Sequence, residues 1–307
     1  MIADRLKLAE MQRCVYVGLS EGYVKKLDPT DGTVLWTSND FGSYTYGISC
    51  GFDKGVYVGL YTNGYVKKLD PSNGTVLWTS PALGQYSRGI KCDLVGNIYV
   101  GTEATEYIYK LDSSDGSIIW SSVSLGAEGT YQGIAVYKDI YVYATGYDGK
   151  VRQINCNDGT INWTSLAYPA YMYLACSKSG DVYGASNDGK VRSFDPSNGT
   201  VLWTVSMPTS ANEGLACDKY GYIYAGGVDG KVRKLDPSDG SVIWTSNDFG
   251  SYAYGISCGF DKVVYVGTNN GYVQKLDSSD GSVIWTSPNL GYRAFGVSSE
   301  YYAGWGL

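Results

Sequence analysis

The chain contains no histidine. That absence removes the commonest general base, the imidazole metal ligand and the Ser-His-Asp type of nucleophile activation. Its seven cysteines include no adjacent pair and no metal-type cluster, and their odd number leaves at least one unpaired. No Walker-type phosphate loop occurs. Basic runs are also missing, and 24 Lys and Arg against 30 Asp and Glu give a net charge of −6. An acidic chain of this kind is a poor nucleic-acid binder, so no nucleic acid is expected among its partners. The opening "MIADRLKLAEMQRC" has mixed charge and no continuous apolar segment, so it reads as neither secretory signal nor membrane anchor. The expectation is no membrane insertion and cytoplasmic synthesis without export, which the free cysteines favour, unless a leader precedes the sequence.

What the chain does have is repetition. "GYVKKLDPTDGTVLWTS" at Gly22 returns as "GYVKKLDPSNGTVLWTS" at Gly64 with two letters changed. One copy reads as a β-hairpin: β-branched and aromatic strands flank a polar turn from Asp28 to Gly32, where Asp28 accepts backbone N–H bonds and Pro29 presets φ. A lone hairpin is not stable in water, but repeated units bury their faces against one another. Trp36, Trp78, Trp120, Trp163, Trp203, Trp244 and Trp285 mark seven copies at steps of 40 to 43 residues.

Each period holds four strand-like runs, as in "GISC" (Gly47 to Cys50), "VYVG" (Val56 to Gly59), "YVKKLD" (Tyr65 to Asp70) and "TVLWTS" (Thr75 to Ser80). Asn63-Gly64, Asp148-Gly149, Asp188-Gly189, Asp229-Gly230 and Asn270-Gly271 mark hairpin turns between the second and third runs. Four antiparallel strands per period, repeated radially, predict an all-β, seven-bladed β-propeller in one domain. The 30 tyrosines and 41 glycines, with turn residues in every ten-residue stretch, argue against a helical solenoid. The Trp column is assigned to inter-blade packing: an indole burying ~150–250 Å² at ~25 cal/mol per Å² gives roughly 4–6 kcal/mol before entropy. Trp163, which follows the polar Asn162, is expected to pack less well.

The motif from Lys26 to Trp36, with Asp28, Gly32 and Trp36 at fixed offsets, resembles the tryptophan-docking repeat of the PQQ-like, quinoprotein-type β-propellers. The resemblance runs from about Val15 to Ser299. That family includes quinone-dependent alcohol dehydrogenases and catalytically silent scaffolds such as the outer-membrane assembly lipoprotein. The dehydrogenases are longer, close with eight blades, and carry a disulfide between adjacent cysteines, a calcium site and a catalytic aspartate. Here the acidic residues Asp28, Asp70, Asp112, Asp195, Asp236 and Asp277 fall at repeat-phase turn positions that a structural role explains. A non-catalytic member without cofactor, metal site or catalytic residues is therefore expected. The alternative is a PQQ-dependent dehydrogenase-like enzyme.

Cys50, Cys92, Cys176, Cys217 and Cys258 share one column at the end of the first strand, which Val136 and Ser299 fill in the other two blades. A blade spacing is too long for a disulfide, so they read as small buried residues of the innermost strands. The last first-strand match, "GVSS" at Gly296 to Ser299, has no later hairpin to join. It is expected to complete the N-terminal blade and close the ring. "LKLA" at Leu6 to Ala9 is the rival for that place. The domain reading is thus an N-terminal extension 1–14, a propeller 15–299 and a tail 300–307, whose "EYYAGWG" resembles a surplus second strand. Such a strand either packs on the rim or pairs with another subunit.

Function is expected on the loops leading from the last strand of one blade to the first of the next, which gather around the channel and are rich in rings. Tyr44, Tyr46, Tyr86, Arg88, Tyr131, Tyr171, Glu213, Tyr252, Tyr254, Tyr292 and Arg293 form the candidate ligand-binding face, with Phe41, Tyr168, Phe249 and Phe295 nearby. Tyrosines beside polar groups suit a protein or glycan ligand at little ordering cost. The same rings would also serve by capping the channel and packing on each other. Two non-enzymatic readings follow: a recognition module, or a structural building block of a virion or cell-surface assembly.

Overall fold

The computed structural model describes residues 14–62, 64–103, 105–125, 133–168, 172–209, 214–259 and 262–299. These residues form seven four-stranded antiparallel sheets, whose strands are numbered β1 to β28 in chain order. The first blade combines β28 (Ala294–Ser299), β1 (Val15–Leu19), β2 (Val24–Leu27) and β3 (Val34–Thr37). The other blades are sequential: residues 45–79, 87–121, 134–164, 172–206, 214–245 and 253–286.

Burial falls off outward across each blade, as the sequence pattern dictates. The second strand, "VYVGL" in β1, is buried throughout, whereas the fourth, "VLWT" in β3, is largely exposed. Seven hydrophobic clusters lie between neighbouring blades, including one that joins Val15, Val17 and Leu27 of the first blade to Tyr265 and Val273 of the seventh. No blade has a core of its own, so each depends on both neighbours.

The turn chemistry is local and repeats. Asp28 Oδ1 accepts the Thr30 N–H at 2.8 Å, and Asp70, Asp112, Asp195, Asp236 and Asp277 each hold the N–H two residues on in the same way. Each turn closes on a glycine in the left-handed region, such as Gly32 at φ 80°. The missing Cβ has a second use there, because the tryptophan of the preceding blade lies against that glycine. A Cβ on Gly74 would sit 2.7 Å from the Trp36 ring.

Each of the seven column tryptophans makes the same two contacts with the next blade: its ring covers the turn glycine, and its indole N–H donates to a turn carbonyl. Trp36 donates to Pro71, Trp78 to Ser113, Trp120 to Cys156, Trp163 to Pro196, Trp203 to Pro237 and Trp244 to Ser278, at 2.9–3.1 Å. A buried tyrosine of the second strand backs each indole, with Tyr16 and Trp36 centroids 5.8 Å apart. Except for Trp244 these seven tryptophans are half-buried, because they stand on the outermost strand with only one neighbouring blade to cover them. Trp163 docks like the others, so the weaker packing expected from Asn162 does not show in this contact. Instead Asn162 points outward and donates to Gln153 Oε1 at 3.0 Å.

Ring closure follows the C-terminal option. β28 pairs antiparallel with β1, Val15 opposite Ser299 and Val17 opposite Val297, with a register shift between Gly18 and Leu19. Leu6 to Ala9 and residues 300–307 lie outside the described residues.

Candidate functional site

At one end of the ring, the loops entering the first strands meet the turns between second and third strands. Tyr61 N–H donates to Tyr44 O at 3.0 Å, Tyr86 N–H to Tyr61 O at 2.8 Å, and Glu103 N–H to Tyr86 O at 3.2 Å. This backbone ladder stitches the second and third blades together and fixes Tyr86 at φ 61°, a conformation rare for a bulky residue. The ladder thereby holds the Tyr86 ring on Tyr61, with centroids 4.1 Å apart.

The rings continue as an arc over the channel mouth. Tyr252 meets Tyr254 (6.2 Å), Tyr254 meets Phe295 (5.3 Å), Phe295 stacks on Tyr46 (4.3 Å), and Tyr46 meets Tyr44 (6.0 Å) and Tyr61 (5.4 Å). The Arg88 guanidinium lies 4.9 Å from the Tyr46 centroid and 5.0 Å from that of Tyr61, within cation–π range. Its Nε is 2.7 Å from Glu103 Oε2, and Glu103 Oε1 accepts the Tyr147 hydroxyl at 2.5 Å. Arg88 is thus clamped by two rings and a carboxylate, which positions its charge beneath an aromatic surface. A cleft of about 480 Å³ opens beside Tyr44 and Tyr61, walled by Ser20, Glu21, Asp40, Ser43 and Thr62.

Of the candidate residues, the structure brings Tyr44, Tyr46, Tyr86, Arg88, Tyr252 and Tyr254 into this arc. Tyr292 stands apart, paired with Tyr23 at 6.4 Å and 17°. Arg293 is exposed and enters the fold through its carbonyl, which accepts the Ser20 N–H at 3.1 Å. Tyr131, Tyr171 and Glu213 lie outside the described residues. Sequence reasoning missed Tyr61, Glu103 and Tyr147, which sit on the turns between second and third strands. The available signal was that Tyr61 replaces the polar residue found there in "LSEGY".

Below the arc, the first strands wall an axial channel. An upper cavity of about 70 Å³ is lined by Tyr46, Arg88, Tyr173 and Phe295, among others. A lower one of about 230 Å³ takes in all five column cysteines. Contrary to expectation, Cys50, Cys92, Cys176 and Cys217 are only half-buried, since the inner strand borders the channel on one side; Cys258 is buried. All are free, and burial pushes the Cys92 thiol up to about 12. Cys14 and Cys156, off the column, are buried as well.

These donors do not fit a quinone–calcium centre. Among the described residues no three Cys, Asp or Glu side chains converge as a metal site, and the column cysteines stand one per blade. The turn aspartates are already used by their own turns: Asp28, Asp70, Asp112, Asp195 and Asp236 are all held below the usual carboxylate range by hydrogen bonds from the Ser or Thr two residues on.

Comparison with known proteins agrees with this architecture. The model of a family described as outer membrane protein assembly factor BamB matches residues 20–87, 62–184 and 187–301. No curated protein matches. The chain is similar to the solved structure of the computationally designed Ika8 protein, with a TM-score of 0.71 and 18% identity over 94% of this chain and 87% of that one. It is likewise similar to the WD40 β-propeller domain of Doa1, with a TM-score of 0.73 and 16% identity over 86% and 88% of the two chains. At such identities the likeness speaks to fold alone.

Proposed function

Because the chain belongs to the family of BamB-type, PQQ-like repeat β-propellers, we propose that it is a non-enzymatic recognition module that binds another protein through its aromatic arc. The arrangement of Arg88 between Tyr46 and Tyr61 carries this reading. Rings that already pack on one another, with a guanidinium fixed among them, lose little rotamer freedom when a partner docks. Tyr44 and Tyr252 flank the arc at 46% and 45% exposure and offer new area to a ligand. The family description names an assembly factor, a protein whose work is done on other proteins, which favours a protein over a glycan.

The test is a photo-crosslinking residue placed at Tyr44, with one at Lys54 as control, in extract of the source organism. The recovered partner is then titrated against Tyr44→Ala, Tyr252→Ala and Arg88→Ala. Truncating an anchor of this kind is expected to weaken binding at least ~10-fold. Equal crosslinking at both positions, or unchanged affinity in all three variants, refutes the proposal, and saturable binding to a glycan in place of a protein would reassign the ligand class.

A separate observation favours a building-block role in a virion or surface array. The outer strands expose paired aliphatic side chains, including Val34 and Leu35, Val76 and Leu77, Ile118 and Ile119, and Val283 and Ile284. An apolar rim of this kind suits lateral packing. Concentration-dependent association, abolished by Leu35→Asp with Ile119→Asp, is its expected signature in sedimentation.

A further inference from the structure

One column in the channel wall runs Ser49, Lys91, Ala135, Ala175, Ala216, Ser257 and Ser298 around the ring. Six blades place a small residue there, and the third places a lysine. Lys91 borders both axial cavities. Its side chain is accessible to solvent within the channel but walled in by protein on all sides, and this desolvation lowers its pKa, against the opposing influence of Cys92, Cys258 and Cys50. The Lys91 ammonium has no hydrogen bond or ion pair with any described residue.

The two carboxylates that line the lower cavity, Asp93 and Asp218, are already engaged. Asp93 accepts the Val95 and Asn97 N–H groups, the Asn97 amide and the Tyr99 hydroxyl. Asp218 accepts the Tyr220 and Tyr222 N–H groups and the Tyr224 hydroxyl. Lys178 and Lys219 add positive charge at the lower rim. Burial raises the thiols of Cys92, Cys176, Cys217 and Cys258 above the ordinary thiol range, so these four are neutral near pH 7. Neutral thiols neither repel an anion nor attract a metal ion. Ser299 Oγ donates to the Cys258 carbonyl at 3.0 Å, which leaves the Ser257 hydroxyl, 2.9 Å from Ser299 Oγ, able to turn its proton outward.

We propose that the axial cavity at Lys91 binds a small inorganic oxyanion of phosphate or sulfate size. The ammonium supplies the charge, and hydroxyls and thiols of the surrounding first strands supply hydrogen-bond donors. A cavity of about 230 Å³ holds one such ion with several waters, each taking ~30 Å³. An uncompensated cation in an enclosed site is costly, and a bound anion offsets that cost. The ion is placed in the lower cavity, which no arc residue lines, and its test does not involve the arc residues.

The experiment is calorimetric titration of the full chain with sodium phosphate and with sodium sulfate, at ionic strength held constant with sodium chloride, alongside thermal melting. Wild type is expected to bind one oxyanion saturably and to melt higher as the site fills. Lys91→Met is expected to bind at least ~10-fold more weakly yet to melt no lower than wild type in chloride alone, having lost an unpaired charge. Lys91→Arg should retain binding. A readout that needs no variant is the spectrum of reductively 13C-methylated wild type, in which one lysine signal should shift with the calorimetric midpoint. Absence of saturable binding in wild type, equal binding by Lys91→Met, or a uniform drift of all lysine signals would overturn the proposal.

Discussion

Trp285 of the seventh blade donates its indole N–H to the carbonyl oxygen of Pro29 in the first, at 3.0 Å across 256 residues of sequence. This is the contact every other blade makes with its successor, so the ring closes by the same bond that builds it. The Lys275 ammonium donates to the same carbonyl at 2.7 Å. Two donors on one acceptor make the seam tolerant of losing either.

Trp285→Phe should therefore cost only about 0.5–1 kcal/mol, because Lys275 still satisfies Pro29 and most of the ring volume remains. Trp285→Ala uncovers Gly32 and should cost about 2–4 kcal/mol, below the range for a fully buried tryptophan since the indole is half-exposed. Urea melts of the two variants check the order. A loss for Phe as large as that for Ala would show that the hydrogen bond, and not the ring, holds the seam.

The turn glycines separate strain from collision. At Gly240 φ is 77° and a Cβ would lie 2.7 Å from the Trp203 ring, whereas Gly42 has φ 64° with nothing within 4 Å. Gly42→Ala should cost about 1–2 kcal/mol for the left-handed backbone alone. Gly240→Ala adds overpacking against the indole and should cost about 3 kcal/mol in all. Equal losses at the two sites would mean that the tryptophan yields freely, contrary to the docking described above.

Much of this design is legible in the letters themselves. Repeated copies fix the blade, its strand order, the Trp register and the use of Gly296 to Ser299 as the closing strand, because a strict period leaves each side chain one place to go. The period cannot display departures from itself. Arg88 replaces the Tyr46 of the preceding blade, Lys91 replaces a serine or alanine, and Tyr61 replaces a polar turn residue. Each matters only through the neighbour it meets across a blade boundary. Tyr292 stands outside the arc for a related reason: a loop ring can turn inward to the arc or outward onto Tyr23, and the sequence does not encode which.

The closing strand offers a sharper contrast. Val297 is buried beside Val15 and Val17 in the seam between the first and seventh blades, while Leu35 on the rim is 52% exposed. Val297→Asp places a carboxylate among apolar neighbours without a partner and should cost more than about 3 kcal/mol, enough to open the ring. Leu35→Asp should stay within about 0.5 kcal/mol. Gel filtration and circular dichroism distinguish an opened chain from a closed one. If Val297→Asp remains a stable closed monomer, the seam contributes less than the burial of β28 implies.

Stability should respond unequally to acid and base. On the acid side, burial alone would raise Asp188 and Asp229, but hydrogen bonds and charge from Arg192 and Arg233 outweigh it and lower both. Their contribution is present above the unfolded carboxylate pKa of about 3.9 and is lost as pH falls through the lower folded values. Asp28, Asp70, Asp112, Asp195 and Asp236 are lowered as well, but they stand in exposed turns where solvent screening keeps each share small, so the acid limb is shallow. On the alkaline side, Tyr57, Tyr99, Tyr143, Tyr183 and Tyr224 are raised well above the ordinary phenol value, first by burial. Tyr57, Tyr99 and Tyr224 also donate to Asp53, Asp93 and Asp218 at 2.6, 3.0 and 2.9 Å. Above pH of about 10 the unfolded chain releases these protons while the folded ring keeps them, so stability falls as pH rises. At ~1.36 kcal/mol per proton, five tyrosines give a slope of at most about 7 kcal/mol per pH unit. Urea melts from neutral to strongly alkaline pH, followed with tyrosinate absorbance, should show ionisation and unfolding as one transition. Tyr224→Phe should flatten the limb by one tyrosine's share. Full ionisation of all tyrosines in a still-folded ring would show that these phenols are not sealed between the blades.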